Sequence, residues 1–510
     1  MWTVVIGYFV VAIVVLFGIP LLKAMAKGLS DNVPAPYDGP SQKGSTQEVT
    51  RLASASGILL GSAYRRMVIE RGRDKHHACA PELGLDFETV LMVCRWAEDR
   101  QIRYDFAIGA GAILSATLFS VGALWLAGLA VAVMFGTVLR KRFEERFRLA
   151  GQFRRKGYEP LAIKQRFHVT LSNDERRGLP RLDQNLWAYS GFSPFDGAGF
   201  EVGGWSFVVD SSRPNNVLGM LNTLRPFQTN EILQAVEGAV GGIGHRGLLC
   251  RDYVVLHGSN LPNVAAAESG IWRTVQHVES SLFEVLQDGE DDRLRHYKWI
   301  QLHDWGSELV VSSFLFCSRV SDEVYIECRH HLLTALAPEY RKVDALTNST
   351  WWTGLRWSFA RVLLAPLDVA LSLCWLIYRP LAALPRLLKI QDLWDRMIMA
   401  DEPRYNFGGA ISLRQAVAGR LFTHYFQKTD KQMLEKLIDK RILDSLVDFF
   451  ESHGVDTSEI KERQSTILNN GIIVQGGDVK AQTMAVGRGA RASGVFGKMA
   501  RRRQANVKSA

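Results

Sequence analysis

Apolar and polar positions are segregated along the chain into three long apolar runs, residues 2–22, 106–139 and 362–378, separated by stretches of ordinary mixed composition. A helix crossing the hydrocarbon core of a bilayer takes about 20 apolar residues. WTVVIGYFVVAIVVLFGIPLL, 2–22, is one such span. It lacks a basic residue ahead of it and a small-residue cleavage site behind it, and Lys23 and Lys27 follow, so an uncleaved anchor with its N-terminus outside is expected. The second run, FAIGAGAILSATLFSVGALWLAGLAVAVMFGTVL, carries no ionisable side chain and is far too long for one straight crossing. Arg95, Arg100 and Arg103 precede it, and Arg140, Lys141, Arg142, Arg146 and Arg148 follow. Basic flanks mark the cytoplasmic side, so both ends belong there and the run crosses an even number of times. The expectation is a hairpin turning near Ser120-Val121-Gly122. Gly109, Gly111, Ala112, Ser115 and Ala116 on one arm would pack closely against Ala123, Ala127, Gly128 and Ala130 on the other. The competing arrangement is one tilted helix that leaves residue 140 onward outside.

The third run, VLLAPLDVALSLCWLIY, is shorter, contains Pro366 and Asp368, and is basic on both sides. Trp351, Trp352, Trp357 and Trp375 surround it as an interfacial belt would, so 351–390 reads as an interfacial or re-entrant membrane segment, with Asp368 at the interface. Between the second and third runs the period changes. WSFVVD (205–210), RDYVVLHG (251–258), HYKWIQL (296–302), ELVVSSFLFC (308–317) and EVYIEC (323–328) read as strands, the last three forming an antiparallel meander. Period-3.6 spacing predicts helices at 227–240, 265–287 and 429–454, the last stopped by Gly454. The fold class expected is therefore a membrane-anchored α+β protein: an N-terminal transmembrane helix, a central transmembrane hairpin, an antiparallel-sheet α+β cytoplasmic domain, C-terminal helices and a short β-rich tail. The boundaries are an anchor at 1–27, a Pro/Gly/Ser linker at 28–45 and a helical segment at 46–105. The hairpin takes 106–139, the α+β domain 140–350 and the interfacial segment 351–390, followed by a helical region at 391–465 and the tail at 466–510.

Composition adds a location. The net charge of +9 is gathered around the apolar runs, which favours a bilayer over nucleic acid as the partner of the basic residues. Beyond Asp478 the chain has basic residues and no acidic ones, Arg501, Arg502 and Arg503 among them, and this arm suits anionic lipid or nucleic acid. The six cysteines are widely spaced and, with the domain on the cytoplasmic face, read as reduced thiols. Two short clusters, His76-His77-Cys79 and Cys328-His330-His331, lack the paired spacing of a metal motif, and no metal or cofactor is assigned. The glycine-rich stretch GAVGGIGHRG, 238–247, lies between a helix and a strand, the reverse of a phosphate loop, and reads as a helix cap and connector. His245, His257, His296, His303, Asp304, Ser259 and Glu308 share one domain, but no motif ties a nucleophile to a base, so no catalytic residue is assigned.

YSGFSPFDGAGFEVGGWSFVVD, 189–210, concentrates Tyr189, Phe192, Pro194, Phe195 and Trp205 among glycines, as expected of a structural corner or, alternatively, a ligand pocket. Together with RHYKWIQLHDWGSELVVSSFLFCSRVSDEVYIECRHHLLTALAPEYRKVD, 295–344, it resembles a group of bacterial, chiefly actinobacterial, membrane proteins that pair a few membrane segments with such a domain. The tail sequence GIIVQGGDVKA followed by AVGRGA is similar to β-rich tails of bacterial conflict and immunity proteins. The charge topology, the small-residue hairpin and the missing catalytic signature lead to the expectation of a bacterial inner-membrane protein with most of its mass in the cytoplasm and a non-enzymatic assembly, sensing or defence-type role, with a homo-oligomer as a further expectation. The alternative is a membrane-bound hydrolase acting on lipid or nucleotide substrates through residues 170–345, with His257 or His303 essential.

Overall fold

The computed structural model describes residues 45–469, apart from 146–149, 156–157, 182, 218–219, 265–273, 279–293, 348–364, 388–389, 391–392, 394–396, 399–404 and 410–411. The expected N-terminal anchor, the linker up to 44, the belt residues Trp351, Trp352 and Trp357, most of the helix at 265–287, and the tail beyond 469 with Arg501, Arg502 and Arg503 all lie outside the described residues, as does the side chain of Asp368.

Six strands build one mixed sheet: β1 (Leu186–Tyr189), β2 (Phe200–Asp210), β3 (Leu248–His257), β4 (Leu294–Asp304), β5 (Leu309–Val320) and β6 (Glu323–Leu333), in the spatial order β1-β3-β4-β5-β6-β2. The meander β4-β5-β6 forms where the alternating pattern predicts it, turning at Trp305–Ser307 and again at Ser321. The sheet is not wholly antiparallel, however. β1 pairs parallel with β3, Leu186 opposite Val254, and β2 lies on the far edge beside β6, Phe207 opposite Ile326. The chain from β1 to β2 thus crosses the width of the sheet, a path that strand patterning cannot foresee because it depends on which edges are free. Gly199 ends that crossing at φ 96°, and a Cβ there would lie 2.0 Å from the Leu332 carbonyl oxygen. Only glycine fits so close to the neighbouring strand.

Alternation along the strands gives the sheet two buried faces. Ile300, Leu302, Val311, Leu315, Ile326 and Leu332 face helices α5 (Thr229–Gly241), α7 (Tyr425–Ser452) and α8 (Ser458–Asn469), and Leu434, Ile438 and Ile442 line the apolar side of α7 at four-residue spacing. The expected stop is in place, Gly454 following α7 at φ 76°. Trp299, Phe314, Tyr253 and Tyr297 line the opposite face together with Trp187 and Phe195. A third core joins α1 (Ser45–Leu59) and α2 (Ser62–Arg73) to the first turns of α3 (Phe87–Ser120), with Leu52, Val68, Val90 and Leu91 buried between them.

Helix α3 begins at Asp86, whose carboxylate accepts the Thr89 N–H at 3.2 Å, and runs unbroken for 34 residues out of that core into the apolar run. The chain reverses at Val121–Ala123 through Gly122 at φ 82° and returns as α4 (Leu124–Phe143), so the apolar run is a helical hairpin rather than one tilted helix. The small residues behave less uniformly than expected. Gly111 faces Met134 of the other arm, but Gly109 faces Leu376, and a Cβ added at Gly128 or Gly136 would meet no other described part of the chain within 4 Å beyond the helix's own backbone. Within the expected interfacial or re-entrant segment, residues 365–387 form one helix, α6 (Ala365–Leu387), with Pro366 in its first turn where the missing N–H costs no helical bond.

Candidate functional sites

Among the described residues, two places stand out for chemistry or surface that packing alone does not explain: the apolar hairpin and a polar centre beneath α7. The hairpin arms present large apolar side chains outward. Trp125 is 94% exposed and Val121 82%, and Phe106, Ile113, Leu114, Phe119, Leu124, Leu126, Leu129 and Val133 are exposed as well. This is far more contiguous apolar surface than a monomer normally leaves open. Each hydroxyl on the arms bonds back to its own helix: Ser115 to the Ala112 carbonyl (2.9 Å), Thr117 to Leu114 (2.9 Å), Ser120 to Thr117 (2.8 Å) and Thr137 to Met134 (2.6 Å). The outer surface therefore offers no unpaired hydroxyl donor, as a lipid environment requires. By length and composition, α3 is long and apolar enough to cross a membrane.

Polarity returns abruptly at the base of the hairpin. Arg100, itself buried, donates to Glu144 at 3.2 Å and to the Lys141 carbonyl at 3.4 Å, and Tyr104 donates to the same carboxylate at 3.0 Å, tying the foot of one arm to the foot of the other. Arg379 of α6 reaches both Asp105 and Glu98 at 3.1 Å, while Ser372 donates to Asp105 at 3.1 Å. Val369 packs with Ile108, Met134 and Val138, so α6 rests on the lower half of the hairpin. Trp375, expected in an interfacial belt, lies beneath the guanidinium groups of Arg66 and Arg379, 5.0 and 5.5 Å from its ring centre.

The polar centre lies on the sheet face covered by α7. Ser313 on β5 is opposite His330 on β6, and Cys328, two residues earlier on β6 and hence on the same face, is opposite Trp205 on β2. From α7, Asp439 descends onto this row. Its carboxylate lies 2.9 Å from His330 Nε2 and accepts the Trp205 indole N–H at 2.7 Å, and Cys328 Sγ is 4.0 Å from the same Nε2. Ser313 Oγ meets His330 Nδ1 at 2.8 Å. Burial alone would lower the His330 pKa, but the Cys328 sulfur and the Asp439 carboxylate outweigh it and hold the ring well above the ordinary histidine range. The Cys328 thiol is pushed up, first by burial.

The residues singled out in the sequence are not brought together. Trp205 faces α7, whereas Phe195 lies across the opposite face against Phe314 (4.4 Å between ring centres), His331 and Tyr297. Tyr189 packs edge-on against His257, Pro194 is half-buried and Phe192 is fully exposed. The crossing from β1 to β2 carries Phe195 over one face of the sheet while Trp205 on β2 packs on the other, so segment 189–210 divides these aromatics between two cores. Alternation along β6 separates His331 from Cys328 and His330. Asp439 escaped notice because it reads as one more polar position on an amphipathic helix, and only tertiary packing brings it to β6.

The histidines of the hydrolase alternative also stand apart. His257 bonds Ser259 through Nδ1 at 2.8 Å and contacts Asn406 at 3.4 Å. His303 is held between Gln301 and Ser307, each at 3.1 Å, and burial, with the charges of Arg251, Arg414 and His245, lowers it to about 4. Neither has a carboxylate beside it among these contacts.

The AbeC-like domain family model matches residues 204–481, from within β2 through α8 and beyond, while β1 and the hairpin precede it. Most of segment 189–210 therefore lies ahead of the match. No curated protein and no solved structure matches the chain.

Proposed function

The chain belongs to the AbeC-like domain family, and from that premise we propose that it is a membrane-seated bacterial protein of defence type, in which the helical hairpin inserts into the bilayer and the α+β domain remains in the cytoplasm. The family name hints at abortive infection, which supports the defence reading over a housekeeping one. The membrane reading rests on one observation above all: two apolar arms whose exposed side chains are hydrocarbon or aromatic and whose hydroxyls are satisfied within their own helices, closed at the base by ion pairs. The apolar part of each arm, residues 106–120 and 124–139 at about 1.5 Å per residue, is shorter than a hydrocarbon core of about 30 Å. Insertion therefore thins the bilayer locally or leaves the Gly122 turn just inside the far headgroups. A short wedge of this kind gives a defence protein a means of perturbing the membrane once its cytoplasmic domain is engaged, without requiring an enzyme active site.

Because the arms are antiparallel, both flanks must lie on the same side. With exposed Cys374 replaced by serine, Glu70→Cys and Arg154→Cys are each expected to resist an impermeant maleimide in intact cells and to react after permeabilisation. Labelling of Arg154→Cys from outside, or release of the protein from membranes by alkaline carbonate, would overturn this topology. Defence type is tested separately by phage plating on cells that express the chain, cells that express it with both Leu126→Arg and Leu129→Arg, and cells that express neither. Protection is expected to depend on the apolar arms, and equal plaque counts for all three strains would reject it.

A further inference from the structure

We infer that Cys328, His330 and Asp439 form a metal site for a first-row divalent ion of zinc type, bridging sheet strand β6 and helix α7. The three side chains offer one thiol sulfur, one imidazole nitrogen and one carboxylate oxygen, Cys328 and His330 buried and the Asp439 side chain 13% exposed, with these atoms within 4.8 Å of one another. This mixed soft and borderline donor set suits zinc and excludes calcium or magnesium, which take oxygen ligands.

The distances also favour the site. Four-coordinate zinc, with bonds of about 2.3 Å to sulfur and about 2.0 Å to nitrogen or oxygen, places its sulfur and nitrogen ligands about 3.6 Å apart and its nitrogen and oxygen ligands about 3.3 Å apart. Here the Cys328 Sγ to His330 Nε2 distance is 4.0 Å, slightly long, and the His330 Nε2 to Asp439 separation is 2.9 Å, slightly short. A shift of the imidazole by a few tenths of an ångström, away from the carboxylate and towards the sulfur, corrects both at once.

The surroundings are those of a ligand set. His330 uses Nδ1 towards Ser313 Oγ at 2.8 Å, and a proton on Nδ1 donated to that hydroxyl leaves the Nε2 lone pair free for a metal. The Asp439 carboxylate is oriented by the Trp205 indole at 2.7 Å. A water completes the fourth position. Binding displaces the Cys328 proton and any proton held on Nε2 into solvent, so it involves no redox partner. Strand β6 contributes two ligands at alternate positions and α7 the third, so the ion would clamp helix to sheet at the centre of the family domain.

The test uses the full-length chain in detergent, purified without chelator. Elemental analysis is expected to find close to one zinc per chain, and Co2+ added to the stripped protein is expected to give a thiolate-to-cobalt charge-transfer band. Cys328→Ser should abolish that band, and Asp439→Asn, which keeps an acceptor for Trp205, should weaken metal binding at least tenfold while gel filtration and circular dichroism stay unchanged. Absence of bound metal together with no cobalt–thiolate band in the wild-type chain would overturn the site, as would equal metal affinity of the wild-type and Asp439→Asn proteins.

Discussion

His303 provides a stringent test of how the sheet is packed, because its isolation has a measurable pH signature. The ring lies at the end of β4, hydrogen-bonded to Gln301 and Ser307, and is lowered from 6.5 to about 4, first by burial and then by the nearby charges of Arg251, Arg414 and His245. In the unfolded chain the same side chain titrates at its ordinary value, so between about 4 and 6.5 the unfolded state binds the extra proton. Stability must therefore rise with pH through this window and fall as the solution is acidified. At pH 5 the unfolded state gains about 2.1 kcal/mol from protonation and the folded state about 0.1, so acidification from pH 8 costs about 2 kcal/mol from this residue alone. His303→Gln removes the titration and keeps a neutral polar side chain. Urea unfolding of both proteins in the same detergent at pH 8, 6.5 and 5, followed by tryptophan fluorescence, should show stability curves that converge by about 2 kcal/mol as the pH falls. Curves that remain parallel from pH 8 to pH 5 would mean that His303 is accessible and titrates normally, and would refute the packing argument. They would also reopen its use as a general base.

Two further outcomes follow from the same contacts. Gly199→Ala places a Cβ in a left-handed backbone position against the Leu332 carbonyl oxygen, an obstacle that rotation of a side chain cannot relieve, so a loss of about 3 kcal/mol is expected as a lowered melting temperature. An unchanged melting temperature would show that β2 does not enter the sheet edge as described. Arg379→Leu leaves the Asp105 and Glu98 carboxylates at the hairpin base without their shared cation, costing about 3 kcal/mol. Faster hydrogen exchange in α6 than in α7 is the expected readout, and equal protection in mutant and wild type would refute the ionic latch.

Local features are legible in the amino-acid pattern itself. Strand alternation in WIQL, VVSSFLFC and YIEC, the four-residue spacing of α7 with its stop at Gly454, and the reversal at Gly122 all depend on neighbours within a turn or a hairpin, where period and glycine conformation act directly. The parallel pairing of β1 with β3, the crossing of segment 189–210 to the far edge, and the seating of α6 on the hairpin base are long-range choices, decided by which edges and faces remain uncovered once the meander has formed. The polar centre belongs wholly to this second class. The sequence determined that Cys328 and His330 share one side of a strand and that Asp439 lies on a helix. Only the packing of α7 across β6 decided that the carboxylate meets the imidazole, because burying the apolar stripe of that helix against the sheet carries Asp439 to the same place.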